Sequence, residues 1–447
     1  MRVGFVSLGC SKNRVDTEHM MGLLLEAGHS IVNKRGMADA IIVNTCGFIG
    51  DAKKEAIDTI IEMGLLKKRG KIRILVATGC LAQRYPDDLI RELPELDAVI
   101  GVSEWSSLPQ ILDKCAKGER VLKVAPWPKE YSVSSPRLIS TDPGIAYLKI
   151  SEGCNNRCSY CAIPLIRGPV RSRPLDELVE EAYRLANDGI RELVLVAQDL
   201  TSYGNDLRYR EGLETLVSEL NRIPGIEWIR LMYAHPRGIN DSFLRLFQFP
   251  RVVPYLDLPI QHGSNRILNN MRRKYQSKDV YDLVAQLRET VPKIILRTTF
   301  MTGYPGETID DHKQTVLMLR DLEFDWVGFF QYSEEDGTMA AEQNDNVSAR
   351  LKSDRCQELM AVQQEITFRK NKHRIGLLVP VLIEAQSGEK AYKGRAWFQA
   401  PEVDGVVYVR SQVVLKSGQI FNVRITETDE YDLTGELAVE AIETRLT

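Results

Sequence analysis

Cys154, Cys158 and Cys161, spaced C-x3-C-x2-C, are the sharpest chemical feature of this sequence. Three thiolates on one short loop can ligate three irons of a [4Fe–4S] cube, and no fourth cysteine lies nearby to close the last corner. An open iron can chelate the amino and carboxylate groups of S-adenosylmethionine (SAM) and pass an electron to its sulfonium, giving a 5′-deoxyadenosyl radical. That step needs no protein acid or base, and no nucleophile–base triad stands out in the chain. Zinc is the competing occupant, but it prefers four closed ligands from paired C-x2-C or Cys/His sets, and no such partner pair is visible.

A second trio is spread along the first third of the chain. Cys10 closes the apolar run in SLGC, Cys46 the run in VNTC and Cys80 the run in ATGC. If these runs are parallel strands, their carboxyl ends share one rim, the edge at which open α/β sheets bind ligands. Three cysteines at the same phase of successive strand–helix units should then converge and offer another three-thiolate site. Small buried cysteines that merely close strands are the alternative. Cys115 and Cys356 lie on helical segments without partners and read as buried structural thiols.

Other residues also follow apolar runs. Gly303-Tyr-Pro-Gly306-Glu307 would let backbone approach a ligand closely, with the glutamate accepting from a hydroxyl or ammonium group, although turn chemistry alone explains the glycines equally well. Gln198-Asp199, Tyr233-Ala-His235 and Gln261-His262 fall at the end of a barrel where chemistry is placed, or serve as satisfied loop residues. Arg167, Arg171 and Arg173 form a basic cluster that reads as a solvated charge run, with a carboxylate or phosphate site as the alternative.

The elements that must position these groups are legible from periodicity. Candidate strands Arg2–Leu8, Ala40–Thr45, Ile72–Thr78 and Asp97–Val102 alternate with helix-like stretches such as Arg14–Ala27 and Ala52–Lys67, which predicts a doubly wound parallel sheet over residues 1–125. Residues 126–144, rich in Pro and Ser, read as a linker. Alternation resumes over 145–372 with Ile145–Glu152, Glu192–Ala197, Trp228–Tyr233, Tyr255–Leu258, Ile294–Met301 and Trp326–Tyr332, six βα units that fit a partial barrel or an open sheet, followed by a helix at about 348–372. Residues 374–447 change to short strands with Gly-bearing turns, a small all-β module.

Composition bounds the class. The 447 residues imply about two to four domains. Hydrophobic residues make up 44% and charged residues 27%, as expected of a soluble globular chain. The net charge of −3 announces neither a nucleic-acid binder nor a polybasic anchor. No apolar run approaches the ~18 residues that span a bilayer, and the first residues enter a strand without a signal-peptide core. A cytoplasmic, non-membrane protein is expected, whose eight cysteines are ligands or thiols rather than disulfides.

Taken together, the chain resembles the methylthiotransferase family of radical SAM enzymes over nearly its whole length. The resemblance implies an N-terminal cluster-binding domain, a central partial (βα)6 radical SAM barrel and a C-terminal TRAM β-barrel. It also implies two [4Fe–4S] clusters, an auxiliary one on Cys10, Cys46 and Cys80 and a SAM-binding one on Cys154, Cys158 and Cys161. Tyr160 matches the position beside the adenine, and Gly303, Gly306 and Glu307 fall in the region near the SAM amino group. Within the family, SLGCSKN, NTCGFI (Asn44–Ile49), CAIPLIRG (Cys161–Gly168), AQDLTSYG (Ala197–Gly204) and APEVDG (Ala400–Gly405) are similar to the branch that methylthiolates the β-carbon of an aspartate in ribosomal protein S-12. Ser11, where that branch more often has proline, and His262-Gly-Ser264, also at home in the tRNA-modifying branch, are departures.

The implied reaction uses two SAM molecules, one giving a methyl group to sulfur held at the auxiliary cluster and one cleaved to a radical that takes hydrogen from the substrate carbon. The implied partner is ribosomal protein S-12, free or on the ribosome, while the electron donor and sulfur source stay open. Residues 374–447 hold eight Lys/Arg and eleven Asp/Glu, a balance of −3 that suits a basic protein better than RNA. A tRNA methylthiotransferase acting on a hypermodified adenosine next to the anticodon is the first alternative. A non-catalytic iron–sulfur or zinc protein is the second.

Overall fold

Val, Ile and Ala dominate the short strands that open the chain, and their alternate side chains feed two separate cores. The computed structural model describes residues 1–133, 135–209 and 212–438. β1 (Arg2–Ser7), β2 (Ser30–Ile31), β3 (Ala40–Thr45), β4 (Ile74–Gly79), β5 (Ala98–Ile100) and β6 (Val121–Lys123) form one parallel sheet in the order β2-β1-β3-β4-β5-β6. On one face Ile41 and Val43 pack with Ala56, Ile60 and Met63 of the helix Gly50–Lys68. On the other, Ala40 and Ile42 pack with Met20 and Leu24 of the helix Ser11–Glu26 and with Ile111 and Leu112 of the helix Leu108–Ala116. The sheet is therefore doubly wound, as its two-sided apolar strands predict. The edge strands β2 and β6 go beyond the sequence-based expectation, being too short to show a period.

The strand expected over Ile145–Glu152 divides at Ile150. β7 (Ile145–Lys149) stays with the barrel sheet, while β8 (Ser151–Glu152) pairs antiparallel with β9 (Arg171–Ser172). The chain forms two units. The first comprises Met1–Ser140, Ser151–Glu177 and Ser333–Glu342, and the second Thr141–Ile150, Leu178–Tyr332 and the chain from Gln343 onward.

In the second unit, β10 (Glu192–Val196), β11 (Trp228–Leu231), β12 (Val252–Asp257), β13 (Ile295–Thr302) and β14 (Trp326–Gln331) follow β7 in strict chain order, every pair parallel. This six-stranded sheet is the expected partial barrel. Ser348 caps the helix Ala349–Lys372, its Oγ accepting from Leu351 N at 3.2 Å. β15 (Leu378–Gly388), β16 (Ala391–Ala396), β17 (Val407–Arg410), β18 (Ile420–Thr428) and β19 (Leu433–Leu437) then form a closed barrel, which leaves no unpaired strand edge.

The terminal barrel contributes polar groups to the larger sheet. Arg395 Nη2 donates to Glu192 Oε2 at 2.7 Å, and Glu192 Oε1 accepts from Arg230 Nε at 2.6 Å, all three side chains fully buried. Tyr255 OH donates to Asp404 Oδ2 at 2.6 Å, and Arg297 lies 3.4 Å from Asp404 and 3.1 Å from Asp257. Part of the terminal module's acidity is thus neutralised inside the fold, through Glu384 on Arg395 and Asp404 on Arg297. Glu440, Glu443 and Arg445 of the terminal charge count lie outside the described residues.

Candidate functional site

The order of the first sheet reverses between β1 and β3, which makes their carboxyl ends the topological switch point. Cys10 stands three residues beyond β1, Cys46 directly after β3, and Cys80 directly after β4 at the head of the helix Cys80–Arg84. The strands are neighbours in register, Ser7 opposite Asn44 and Thr45 opposite Gly79. A glycine flanks each cysteine. A Cβ on Gly9 would sit 2.8 Å from Cys46 Cβ, one on Gly47 would sit 2.8 Å from Leu81 N, and one on Gly79 would sit 2.2 Å from Asn44 Oδ1. The strand ends approach so closely that only glycine fits, and Gly9 and Gly79 also take positive φ.

A polar lattice beneath the thiols accounts for Asn13 of SLGCSKN and Asn44 of NTC. Asn13, fully buried, donates from Nδ2 to Leu8 O and Thr45 O, each at 3.0 Å, tying the end of β1 to the end of β3. Asn44 Nδ2 donates to Asn13 O at 2.8 Å and Thr17 Oγ1 at 2.9 Å. Cys80 Sγ lies 3.6 Å from Asn13 Oδ1. Burial pushes Cys46 up to about 12 and raises Cys80 despite the guanidinium of Arg167. Cys10 is the exposed member of the trio, and although its sulfur is partly desolvated, Lys12, the Asn13 and Lys12 N–H groups and Arg167 outweigh that and hold the thiol below its ordinary value.

The Cys154–Cys161 loop belongs to the same unit, between β8 and β9. Gly153 at its entry has φ +78°, and a Cβ there would meet Pro169 O at 2.0 Å. Cys154 N donates to Gly168 O at 3.0 Å, and Cys161 N to Cys158 O at 3.1 Å. The three cysteines are partly exposed, and Tyr160 is buried. Cys80 packs on Ala162 and Ile166 of the segment after the loop. Residues Ser333–Glu342 brace this unit. Glu335 pairs with Lys53 at 2.9 Å and with Arg84, Gly50 N donates to Ser333 Oγ at 2.9 Å, and Ala340 N donates to Ser159 O at 2.8 Å.

Among the described residues, no group of three or more His, Cys, Asp or Glu is close enough to hold a single metal ion. Each trio supplies three thiols, a donor set whose chemistry suits three irons of a [4Fe–4S] cube.

The basic cluster departs from expectation. Arg167, Arg171 and Arg173 are 1%, 3% and 1% exposed, so they are not a solvated run. Arg167 reaches Asp16 at 2.9 Å and Glu152 at 2.7 Å, partners distant in sequence that supply the charge needed to bury a guanidinium. Sequence reasoning also passed over Asn13; its place three residues after Cys10 was the available signal. Cys115 is buried as expected, whereas Cys356 is half-buried.

In the second unit, Gly303 and Gly306 take φ of +75° and +78°, and Glu307 folds back so that its Oε2 accepts from Gly303 N. Arg355 lies 3.3 Å from that carboxylate, His262 Nε2 3.6 Å and His312 Nδ1 3.8 Å. Burial pushes Glu307 up, but His262, Arg355 and the Gly303 N–H outweigh it and hold it below the usual carboxylate range. Oε1 is buried without a hydrogen-bond partner. Asp199 caps a turn, accepting from Thr201 N at 3.0 Å and Ser202 Oγ at 3.0 Å. Tyr233 and Gln261, just beyond β11 and β12, hold φ of +65° and +84°, strained for non-glycine residues and typical of functional loops.

Residues 2–101 match the uncharacterized protein family UPF0004, residues 148–319 the radical SAM superfamily and residues 375–438 the TRAM domain. The ribosomal protein uS12 methylthiotransferase RimO of Syntrophomonas wolfei is 46% identical over 98% of this chain and 100% of its own length. The protein of that name from Desulforudis audaxviator is 47% identical over 97% of this chain and 96% of its own. Among solved structures, the radical SAM methyltransferase TsrM from Kitasatospora setae superposes with a TM-score of 0.57 at 16% identity, covering 76% of this chain and 74% of its own, a likeness of fold. With three regions matched in order and relatives aligned from end to end, the chain belongs to the ribosomal protein uS12 methylthiotransferase family of radical SAM enzymes.

Proposed function

We propose that this chain adds a methylthio group to the β-carbon of an aspartate in ribosomal protein uS12, acting in the cytoplasm. Cys10, Cys46 and Cys80 hold one [4Fe–4S] cluster, and Cys154, Cys158 and Cys161 hold a second that binds SAM. The observation that carries this reading is the cysteine trio at the ends of adjacent strands β1, β3 and β4, each beside a glycine, in a chain that aligns end to end with proteins named for this activity. When bound, the clusters supply the electron for SAM cleavage and an iron able to carry sulfur, and SAM supplies both the methyl group and the radical.

The chain's own groups orient and exclude. Asn13 and Asn44 fix the spacing of the three N-terminal thiols, and burial keeps water from Cys46 and Cys80. Tyr160 offers a ring face for the adenine. Glu307 holds the turn in which Gly303 and Gly306 present bare backbone to SAM, so its contribution runs through the turn as much as through its remaining carboxylate oxygen. The relatives' names favour a ribosomal protein over tRNA as substrate. No described helix is long and apolar enough to cross a membrane.

Reconstituted chain incubated anaerobically with SAM, a reductant and either uS12 or tRNA tests the reading. A methylthio mass gain on one aspartate of uS12 is expected. A gain on tRNA with none on uS12 would overturn the substrate, and no SAM cleavage with either would overturn the chemistry.

A further inference from the structure

Arg167 ends the helix Ile163–Arg167, which starts two residues after Cys161. Its guanidinium is committed on both arms. Nη1 donates to Asp16 Oδ2 at 2.9 Å and to Glu152 Oε2 at 2.7 Å, while Nη2 donates to Asn13 Oδ1 and to Cys80 Sγ at 3.3 Å. Ile166, the preceding residue, packs on Cys80 as well. One side chain is thus anchored next to the second cysteine trio and hydrogen-bonded to a sulfur of the first. The fork makes contacts in several directions at once, which the single ammonium of lysine cannot reproduce.

Two carboxylates already balance the guanidinium, so the approach to sulfur is not explained by ion pairing alone. A cationic donor to a cluster thiolate stabilises negative charge and so favours the reduced cluster, one of the means by which proteins set such potentials.

We infer that Arg167 is a positioning residue that orients the Cys80 sulfur and raises the reduction potential of the cluster on Cys10, Cys46 and Cys80. The inference rests on the proposed reading of those cysteines as cluster ligands. It gives the segment Cys161–Gly168 a role toward the cluster it does not itself ligate.

The test is an EPR-monitored redox titration of the full chain carrying Cys154→Ala, Cys158→Ala and Cys161→Ala, in which only the N-terminal cluster can form. Arg167→Gln and Arg167→Lys are added to that parent. At the potential where the parent is half reduced, the Gln variant should show an oxidised-to-reduced ratio about tenfold higher, a downward shift of about 59 mV for a one-electron couple. The Lys variant should shift less, because the charge remains. An unchanged midpoint in variants that load iron as fully as the parent overturns the inference. A parent that binds no iron overturns the cluster reading instead, so the two failures are distinguishable. If both variants fail to fold, the parent labelled with 15N-guanidino arginine decides the matter. Pulsed EPR should detect a nitrogen coupling to the reduced cluster, and its absence refutes the hydrogen bond.

Discussion

Replacing Asn13 with alanine tests the lattice on which the N-terminal site depends. The substitution removes two donors at 3.0 Å, leaving Leu8 O and Thr45 O short of a partner, and removes the oxygen that accepts from Arg167. Neutral hydrogen bonds are worth about 0.5–1.5 kcal/mol each and one to a charged group about 1.5–3 kcal/mol, so the loss should be about 4 kcal/mol. Against a typical domain stability of about 5–15 kcal/mol, that loosens the ends of β1 and β3 before the sheet as a whole fails. Urea unfolding followed by circular dichroism reads the stability, and iron retention in the chain lacking Cys154, Cys158 and Cys161 reads the site. A stability change below about 1 kcal/mol with full iron retention would show that the lattice does not hold the thiols in place.

Further outcomes follow from other parts of the structure. Cys158→Ala should stop formation of 5′-deoxyadenosine, whereas Cys46→Ala should leave it intact and abolish sulfur insertion; loss of cleavage in both would refute the division of labour. Burial, with Arg273 and Arg237 nearby, lowers His235 to about 4. The folded value therefore lies below the unfolded value of about 6.5, and its contribution, complete above 6.5, should fall by up to about 1.4 kcal/mol per pH unit as pH drops toward 4. His235→Gln should flatten that slope in pH-dependent urea unfolding. Arg395→Leu leaves the buried Glu384 with only Lys393, 3.9 Å away, and Glu192 with one arginine instead of two, and should destabilise the full chain by about 3 kcal/mol in thermal or urea unfolding.

Periodicity carries local information, and what was legible in this sequence follows from that. The βα alternation, the phase of Cys10, Cys46 and Cys80 at strand ends and the all-β terminal module all rest on patterns within some ten residues. Arg167 was not legible because the burial of an arginine is decided by partners far away in the chain, here Asp16 and Glu152. The break at Ile150 escaped because the segment is short and buried on both sides of it, and only pairing partners distinguish β7 from β8. Glu307 is expected to face a ligand from its place in the turn; that its Oε2 is also held by Gly303 N and by Arg355, on a helix some fifty residues downstream, is a long-range contact that local spacing does not show.

Iron and sulfide analysis with Mössbauer spectroscopy, on anaerobically reconstituted chain and on variants lacking either cysteine trio, addresses the central claim most directly. About eight irons and eight sulfides per chain, falling to about four of each when either trio is removed, is the predicted result. A single cube in the intact chain, or stoichiometric zinc in place of iron, would contradict it.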